Sequence, residues 1–225
     1  MTESRKTARL RARAGSSALI HVVSGKVHLE GMLELPENAQ GIVLFAHGSG
    51  SSRLSPRNNY VARELRAAGH GTLLLDLLTR EEDQTYETRF DIDLLTRRLA
   101  DATRWLKEHP EAKRLPLGLF GASTGAAAAL RVAADLPGKV AAVVSRGGRP
   151  DLAGNEELAR VLAPTLLIVG GADLQVIELN EKAYRELRCG KEMEIVPGAT
   201  HLFEEPGALE NVAALAARWF TRHLQ

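Results

Sequence analysis

The stretch LGLFGASTGAAAAL, residues 117–130, is the most informative part of this sequence. An apolar run reaches the segment GASTG at 121–125 and then continues as alanines. A short apolar run before turn residues predicts a buried strand, and the alanine run after them predicts a buried helix. The two glycines either ease a tight turn or form a turn that presents Ser123 for chemistry.

Strand patterns alternate with helix patterns on both sides of this stretch. The sequence predicts strands at 17–23, 26–36, 41–48, 72–78, 115–120, 139–147, 164–171 and 192–198. It predicts helices at 55–69, 89–109, 123–135, 155–162, 176–188 and 206–224. The first two strands form a hairpin, and strands separated by helices pair in parallel through right-handed crossovers. The predicted fold class is α/β, a doubly wound, mostly parallel sheet of about eight strands with helices on both faces.

The composition is that of a soluble globular protein. Hydrophobic residues make up 44% of the 225 and charged residues 25%, and a net charge of +1 provides no basic field for nucleic acid. The one cysteine, Cys189, excludes an intrachain disulfide. The sequence contains neither a recognisable leader nor an apolar stretch long enough to cross a bilayer. The expected location is therefore the cytoplasm.

Positive charge is concentrated at the beginning of the chain. Residues 1–15 hold five basic side chains against Glu3. We interpret this basic arm as solvated or as a frayed helix, because it lacks the aromatic residues and apolar periodicity of a nucleic-acid or membrane tether. Residues 16–225 are predicted to form a single domain. No nucleic-acid or membrane partner is expected, and the sequence leaves monomer and dimer open.

Three polar residues follow strands whose carboxyl ends share one edge of the predicted sheet. Ser123 follows the strand at 115–120, Asp173 the strand at 164–171 and His201 the strand at 192–198. Taken singly, Asp173 would be expected to cap a helix and His201 to be a surface histidine. A serine nucleophile needs a neighbouring base and a third group that orients the base. The three residues together predict a catalytic triad.

Two backbone N–H groups are candidates for an oxyanion hole. The Thr124 N–H lies at the start of a predicted helix, where it can face a developing oxyanion. In the loop HGSGSS at 47–52, the Ser49 N–H is the expected second donor, with Gly48 as the rival donor and a candidate substrate contact. A phosphate-binding loop is the alternative, but its G-K-[ST] pattern is absent. His47 is expected to support the loop instead of acting as a base.

Two further features bear on the substrate. In SRGGRPD at 145–151, Arg146 follows a strand and is a candidate for binding a substrate carboxylate, as Arg149 is to a lesser degree. The alternative is an ion pair with Asp151 or with the acidic residues at 81–83. The polar loop at 79–88 is either a small lid or a plain solvated loop.

The segments AHGSGSS, GASTG, GGADLQV and GATHLF resemble those of the α/β-hydrolase superfamily, and more narrowly its dienelactone-hydrolase-like branch. The resemblance covers nearly all of the chain after residue 15. It implies a compact esterase with little or no cap domain and no cofactor. The enzyme that gives the branch its name has a cysteine at the nucleophile position, where this chain has Ser123, so the expected substrate is a general carboxylic ester.

Three functions are compatible with these residues. The first is a hydrolase that cleaves small to medium carboxylic esters through an acyl-enzyme. The second is an acyltransferase or perhydrolase that uses the same triad with a different acceptor. The third is a non-catalytic binding module that keeps the hydrolase fold. No metal is expected, because neither H-x-x-x-H nor C-x-x-C spacing occurs.

Overall fold

The structure, a computed structural model, describes residues 15–225. Within this range the strands are β1 (Ser16–Ser24), β2 (Val27–Leu35), β3 (Gly41–Ala46), β4 (His70–Leu75), β5 (Leu117–Ala122), β6 (Ala142–Arg146), β7 (Thr165–Gly170) and β8 (Lys191–Val196). The helices are α1 (Pro56–Ala67), α2 (Tyr86–Arg89), α3 (Ile92–Glu108), α4 (Thr124–Asp135), α5 (Asn155–Arg160), α6 (Leu174–Glu186) and α7 (Ala208–His223). Short 3₁₀ turns lie at Glu82–Gln84 and Pro150–Ala153. The predicted basic arm at 1–15 lies outside the described residues except for Gly15.

The strands form one sheet in the order β1-β2-β4-β3-β5-β6-β7-β8. Strand β1 is antiparallel to β2 and β2 to β4, whereas the neighbouring pairs from β4 across to β8 are parallel. The eight-stranded, mostly parallel sheet predicted from the sequence is confirmed. Because parallel strands share a direction, the loops that follow β3, β5, β6, β7 and β8 meet at one edge of the sheet. Among the predicted site residues, Thr124 is the first residue of α4 and Arg146 the last of β6, and the others lie in these loops.

Helices cover the sheet on both faces, and the strand residues alternate between them. In β5, Leu119 packs into a core with α3 and α4, whereas Phe120 packs into a core with α1 and α7. The face of α3 predicted from its periodicity is buried as expected, at Leu95, Leu99 and Leu106 together with Ala102. Side chains on both faces of the central strands are buried, which explains why these strands read as continuous apolar runs.

Local signals at the helix ends also correspond to the structure. The Ser55 hydroxyl accepts a hydrogen bond from the Asn58 N–H and caps α1, and Pro56 occupies its first position. Helix α3 starts later than predicted, because the Asp91 carboxylate accepts from the Leu94 N–H and caps it there. Within residues 15–225, no helix is both long and apolar enough to span a membrane.

Candidate active site

The turn between β5 and α4 holds Ser123 in a backbone conformation that non-glycine residues rarely adopt. Its φ is 50° and its ψ is −123°. The Ser123 N–H donates to the Arg146 carbonyl over 3.3 Å, and the Ser123 carbonyl accepts from the Arg149 N–H over 3.0 Å. Strained backbone of this kind persists only where the surroundings fix it, and it occurs preferentially at functional sites. Ser123, the predicted nucleophile, therefore lies in a strained turn that neighbouring backbone groups hold in place.

The glycines around Ser123 are required by close backbone contacts. A β-carbon at Gly121 would lie 2.4 Å from the Cα of Ala126, and one at Gly125 would lie 2.1 Å from the carbonyl oxygen of Ala46. Both distances are far below van der Waals contact, so a side chain at either position would push the strand and the helix apart. The glycines allow the strand and the helix to pack closely at this turn, where the Ser123 side chain is half-buried.

The loops after β7 and β8 bring Asp173 and His201 together. The Nδ1–H of His201 donates to Oδ2 of Asp173 over 2.8 Å. Asp173 begins helix α6, yet within the described chain its carboxylate makes no capping hydrogen bond to that helix. The N–H of Ala172 donates to the carbonyl of Ala199 over 2.9 Å and ties the two loops to each other. The imidazole thus has a fixed donor at Nδ1, which leaves Nε2 as the basic nitrogen.

Strand β6 ends between the serine and the histidine. The Arg146 carbonyl accepts from Ser123, and the next residue, Gly147, would place a β-carbon 3.6 Å from Nδ1 of His201. No hydrogen bond between the Ser123 hydroxyl and His201 is formed among residues 15–225. The His201 side chain is 38% exposed and so has access to solvent and substrate. The hydrogen bond between His201 and Asp173 is formed as the sequence predicts. The hydrogen bond between the Ser123 hydroxyl and His201 stays a prediction.

The loop after β3 lies against the nucleophile turn. The Ser49 N–H donates to Oγ1 of Thr124 over 3.1 Å, and a β-carbon at Gly48 would lie 2.9 Å from the Cβ of Ser123. Both predicted oxyanion donors therefore lie next to each other at the start of α4. The Thr124 N–H belongs to the first turn of that helix, where it has no partner within the helix. In this structure the Ser49 N–H is occupied by the Thr124 hydroxyl.

His47 supports this loop, as the sequence predicts. The Leu77 N–H donates to Nε2 over 2.9 Å, so Nδ1 carries the proton and donates to the Gly48 carbonyl over 2.9 Å. Burial of the ring lowers the pKa of His47. A neutral histidine with both nitrogens occupied cannot serve as the base, and it connects the loop after β3 to the end of β4.

A cavity of about 220 Å³ lies beside the same loop and was not foreseen from the sequence. Its wall contains Ser51 and Ser52 of the loop after β3, and Arg80 and Asp83 of the loop at 79–88. The Arg53 side chain also lines it and pairs with Asp76 and Glu30. Ser51, Ser52 and Arg53 closely follow Ser49 in the chain, which makes the cavity a candidate space for part of a substrate.

The loop at 79–88 is tied to the body of the domain. Arg98, which is only 4% exposed on α3, donates to the Leu77 carbonyl and with both terminal nitrogens to the Glu82 carboxylate. These hydrogen bonds lower the pKa of Glu82. The Arg89 side chain also pairs with Asp83 over 3.1 Å. The loop is partly ordered by ion pairs, and its role as a lid stays a prediction.

Arg146, the last residue of β6, and Arg149, three residues later, have different partners. Arg149 donates to both carboxylate oxygens of Asp151, over 2.9 and 2.7 Å. The ion pair with Asp151 that the sequence offered as the alternative to substrate binding is therefore formed by Arg149. Arg146 is 6% exposed and donates from Nη2 to Oδ1 of Asn58 over 3.2 Å. Burial, with the nearby positive charge of Arg57, lowers the pKa of Arg146 to about 10. Neither Asp151 nor the residues at 81–83 pairs with Arg146 in the described chain.

The order of the sheet and the strained turn after β5 together define an α/β hydrolase. Within this class, the sequence profile of the dienelactone hydrolase family matches residues 29–225, and the chain belongs to that family. The crystal structure of a dienelactone hydrolase from Anabaena variabilis is 55% identical in sequence. It covers 95% of this chain and 100% of its own, with a TM-score of 0.91. The resemblance found in the sequence is thereby confirmed.

More distant relatives show the fold alone. Est1E from Butyrivibrio proteoclasticus is 13% identical, covers 91% of this chain and 98% of its own, and has a TM-score of 0.78.

Two curated Mycobacterium tuberculosis proteins named "Putative phosphoribosyl transferase" are 58% identical over 205 residues. That segment is 91% of this chain and 46% of each relative. The chain spans less than half the length of these two relatives.

Proposed function

We propose that this chain is a serine hydrolase that cleaves carboxylic esters of small to medium size through an acyl-enzyme. The observation that carries the proposal is the 2.8 Å hydrogen bond from His201 to Asp173, at the sheet edge where Ser123 occupies a strained turn. A base oriented by a carboxylate and a serine presented on a sharp turn are the two requirements of this chemistry. Membership of a hydrolase family supports the same reaction class.

In the proposed reaction, the Ser123 oxygen attacks the ester carbonyl carbon while Nε2 of His201 accepts the hydroxyl proton. Asp173 stabilises the imidazolium that forms, because its carboxylate accepts the hydrogen bond from Nδ1. His201 then gives the proton to the leaving alcohol, and an acyl-enzyme remains on Ser123. Water, activated by His201, attacks the acyl carbon, and the acid and free Ser123 are released.

The oxyanion of each tetrahedral intermediate is proposed to accept hydrogen bonds from the N–H groups of Thr124 and Ser49. One donor of this kind is worth about 3 kcal/mol in the transition state. The Ser49 N–H has to exchange the Thr124 hydroxyl for the oxyanion during turnover, since it donates to that hydroxyl in the free protein. This exchange costs little, because one hydrogen bond replaces another.

The transferase name of the mycobacterial relatives describes proteins more than twice as long as the segment that they share with this chain. We therefore propose only the hydrolase chemistry for this chain. Acyl transfer to an alcohol or peroxide uses the same acyl-enzyme, and product analysis with such acceptors present distinguishes it from hydrolysis.

The test is intact-mass analysis after incubation with a fluorophosphonate, run beside hydrolysis of p-nitrophenyl acetate and butyrate. We expect a single adduct on Ser123 and ester turnover that falls at least about 10³-fold in Ser123→Ala. Ser17→Ala is the matched control, because it removes an exposed serine hydroxyl on the edge strand β1, outside the loops that hold the triad. Full activity in Ser123→Ala, or an adduct elsewhere in the chain, would overturn the proposal.

A further inference from the structure

Arg146 is a buried cation to which the proposed reaction gives no role. Its guanidinium donates from Nη2 to Oδ1 of Asn58, and its Nε is buried without an acceptor in the described chain. No carboxylate among residues 15–225 pairs with it. A buried charge without a counter-charge is costly, and replacing such groups with apolar ones often leaves stability unchanged or raises it. Stability therefore does not account for an arginine at this position.

The backbone of Arg146 connects to both parts of the candidate triad. Its carbonyl accepts the hydrogen bond from the Ser123 N–H. The following residue, Gly147, has a φ of 49° and packs against the histidine loop, where a β-carbon would lie 3.1 Å from the His201 carbonyl oxygen. The end of β6 is thus the structural junction between the nucleophile turn and the loop that carries the base.

The Arg146 side chain reaches the same histidine loop through Phe203. The guanidinium carbon lies 5.7 Å from the centroid of the Phe203 ring, within the range of a cation–π contact. Phe203 is 1% exposed and has a φ of 56°, which is a strained conformation for a bulky residue. Such a conformation is kept only where side-chain packing holds it. Phe203 lies two residues after His201, so the Arg146 guanidinium contacts the loop that carries the candidate base.

The loop is attached to helix α1 at a second point nearby. Nη1 of Arg57 donates to Oε1 of Glu204 over 2.8 Å, and the next residue of α1 is Asn58, which accepts from Arg146. The segment from His201 to Glu204 is therefore held from α1 and β6 on one side. On the other side the Asp173 carboxylate holds the imidazole itself.

We propose that Arg146 is a positioning residue that sets the orientation of His201 towards Ser123 by holding Phe203. The proposal rests on the proposed hydrolase function. A displacement of about 1 Å of a catalytic group can cost about 10²-fold in rate. Loss of the Arg146 side chain therefore lowers turnover while the fold stays stable. Lower turnover together with unchanged stability distinguishes a positioning role from a structural one.

The experiment compares Arg146→Met and Arg146→Lys with the control Arg222→Met, which removes an arginine whose guanidinium carbon also lies 5.7 Å from the centroid of an aromatic ring, that of Trp219 on α7. The readouts are kcat and KM for a neutral ester, p-nitrophenyl acetate, and for an anionic one, p-nitrophenyl hemisuccinate. A third readout is the far-downfield proton NMR signal of the hydrogen-bonded Nδ1–H of His201. The midpoint of thermal unfolding reports the stability of each variant. If Arg146→Met does not fold, Phe203→Leu removes the contact between the guanidinium and the ring from the Phe203 side.

In Arg146→Met we expect kcat to fall about 10–100-fold for both esters with KM unchanged, and the His201 signal to shift or broaden. Arg146→Lys keeps a cation that can lie over the ring and should have an intermediate kcat. Phe203→Leu should lose a similar factor, and adding Arg146→Met to it should cost little more. Arg222→Met should keep the wild-type kcat, KM and NMR signal.

Three results would overturn the positioning role. The first is an unchanged kcat and NMR signal in Arg146→Met, and the second is an equal loss in Arg222→Met. The third is a rise in KM confined to the hemisuccinate, which would mean that Arg146 binds a substrate carboxylate directly. If the wild-type protein hydrolyses neither ester, the proposed function has failed, and the NMR comparison still tests whether Arg146 orients His201.

Discussion

The Asp173 carboxylate lies 2.8 Å from Nδ1 of His201, although Asp173 is placed at the start of helix α6 where it could cap that helix. An aspartate at a helix N-cap normally accepts hydrogen bonds from the first turn. Here the carboxylate, 17% exposed, is directed to the imidazole of the neighbouring loop. The Asp173 carboxylate therefore makes no capping hydrogen bond and instead contacts a residue 28 positions further along the chain. This long-range contact is the strongest structural argument that the pair is functional.

Asp173→Asn should lower kcat for p-nitrophenyl esters by about 10⁴-fold, because an amide favours the wrong tautomer of His201. The fold should remain stable, since asparagine has the same size and shape as aspartate and the side chain at this position makes no capping hydrogen bond to α6. Steady-state kinetics and urea unfolding measure the two effects. Asp151→Asn, which alters the ion pair with Arg149, is the control and should keep wild-type kcat. Equal losses in the two variants would show that the His201–Asp173 bond has no special role.

Gly125→Ala should disrupt the turn that presents Ser123. The new β-carbon would lie 2.1 Å from the Ala46 carbonyl oxygen, so β3 and α4 must separate. We expect a loss of about 3 kcal/mol or more in the free energy of unfolding, together with loss of fluorophosphonate labelling. Gly190→Ala provides the comparison, because a β-carbon there meets open space. Wild-type stability in Gly125→Ala would mean that the strand and helix can move apart freely.

The scaffold could be predicted from the sequence because its signals are local. Continuous apolar runs mark strands covered on both faces, and Ser55, Pro56 and Gly69 mark the two ends of α1. The positions of Ser123, Asp173 and His201 followed from one further rule, that loops after parallel strands meet at one edge.

The partners of the polar side chains could not be predicted in the same way. Arg146 and Arg149 are both possible partners of Asp151 in the sequence, and only the direction of each side chain in space assigns the pair to Arg149. Helix α2 and the 3₁₀ turn before it lack apolar periodicity. That segment is ordered through Glu82 by Arg98, 16 residues further along the chain. Contacts of this kind depend on the assembled fold.

His47 should make the protein less stable in mild acid. Its Nε2 accepts from the Leu77 N–H, and burial lowers its pKa below the ordinary value of 6.5. In the unfolded chain the imidazole binds a proton near pH 6.5, whereas in the folded protein it does so only at lower pH. This contribution to stability is therefore complete above pH 6.5 and is lost as the pH falls below that value.

The measurement is urea unfolding of the wild-type protein and His47→Gln at pH 7.5 and pH 5.5. Glutamine can accept from Leu77 without titrating, so the difference in unfolding free energy between the two proteins should be smaller at the lower pH. A constant difference between the two proteins would mean that His47 is not the group that titrates.

Glu82→Gln should loosen the loop at 79–88. The Glu82 carboxylate accepts from both terminal nitrogens of Arg98 and also from the Thr79 N–H. An amide offers only one acceptor oxygen, so the buried Arg98 guanidinium is left partly unpaired. We expect a loss of about 1–3 kcal/mol in unfolding free energy and faster hydrogen exchange confined to the loop. Glu81→Gln changes a neighbouring exposed carboxylate and should leave both quantities unchanged.

The same pair of variants tests whether the loop acts as a lid. The cavity beside Ser51 and Ser52 is lined by Thr79, Arg80 and Asp83 of this loop, so loosening the loop changes access to that cavity. If the loop covers bound substrate, Glu82→Gln should raise KM for p-nitrophenyl butyrate, while the rate of fluorophosphonate labelling at saturating reagent stays the same. Faster hydrogen exchange with an unchanged KM would identify the segment as a plain solvated loop, held in place by Arg98 and separate from the catalytic cycle.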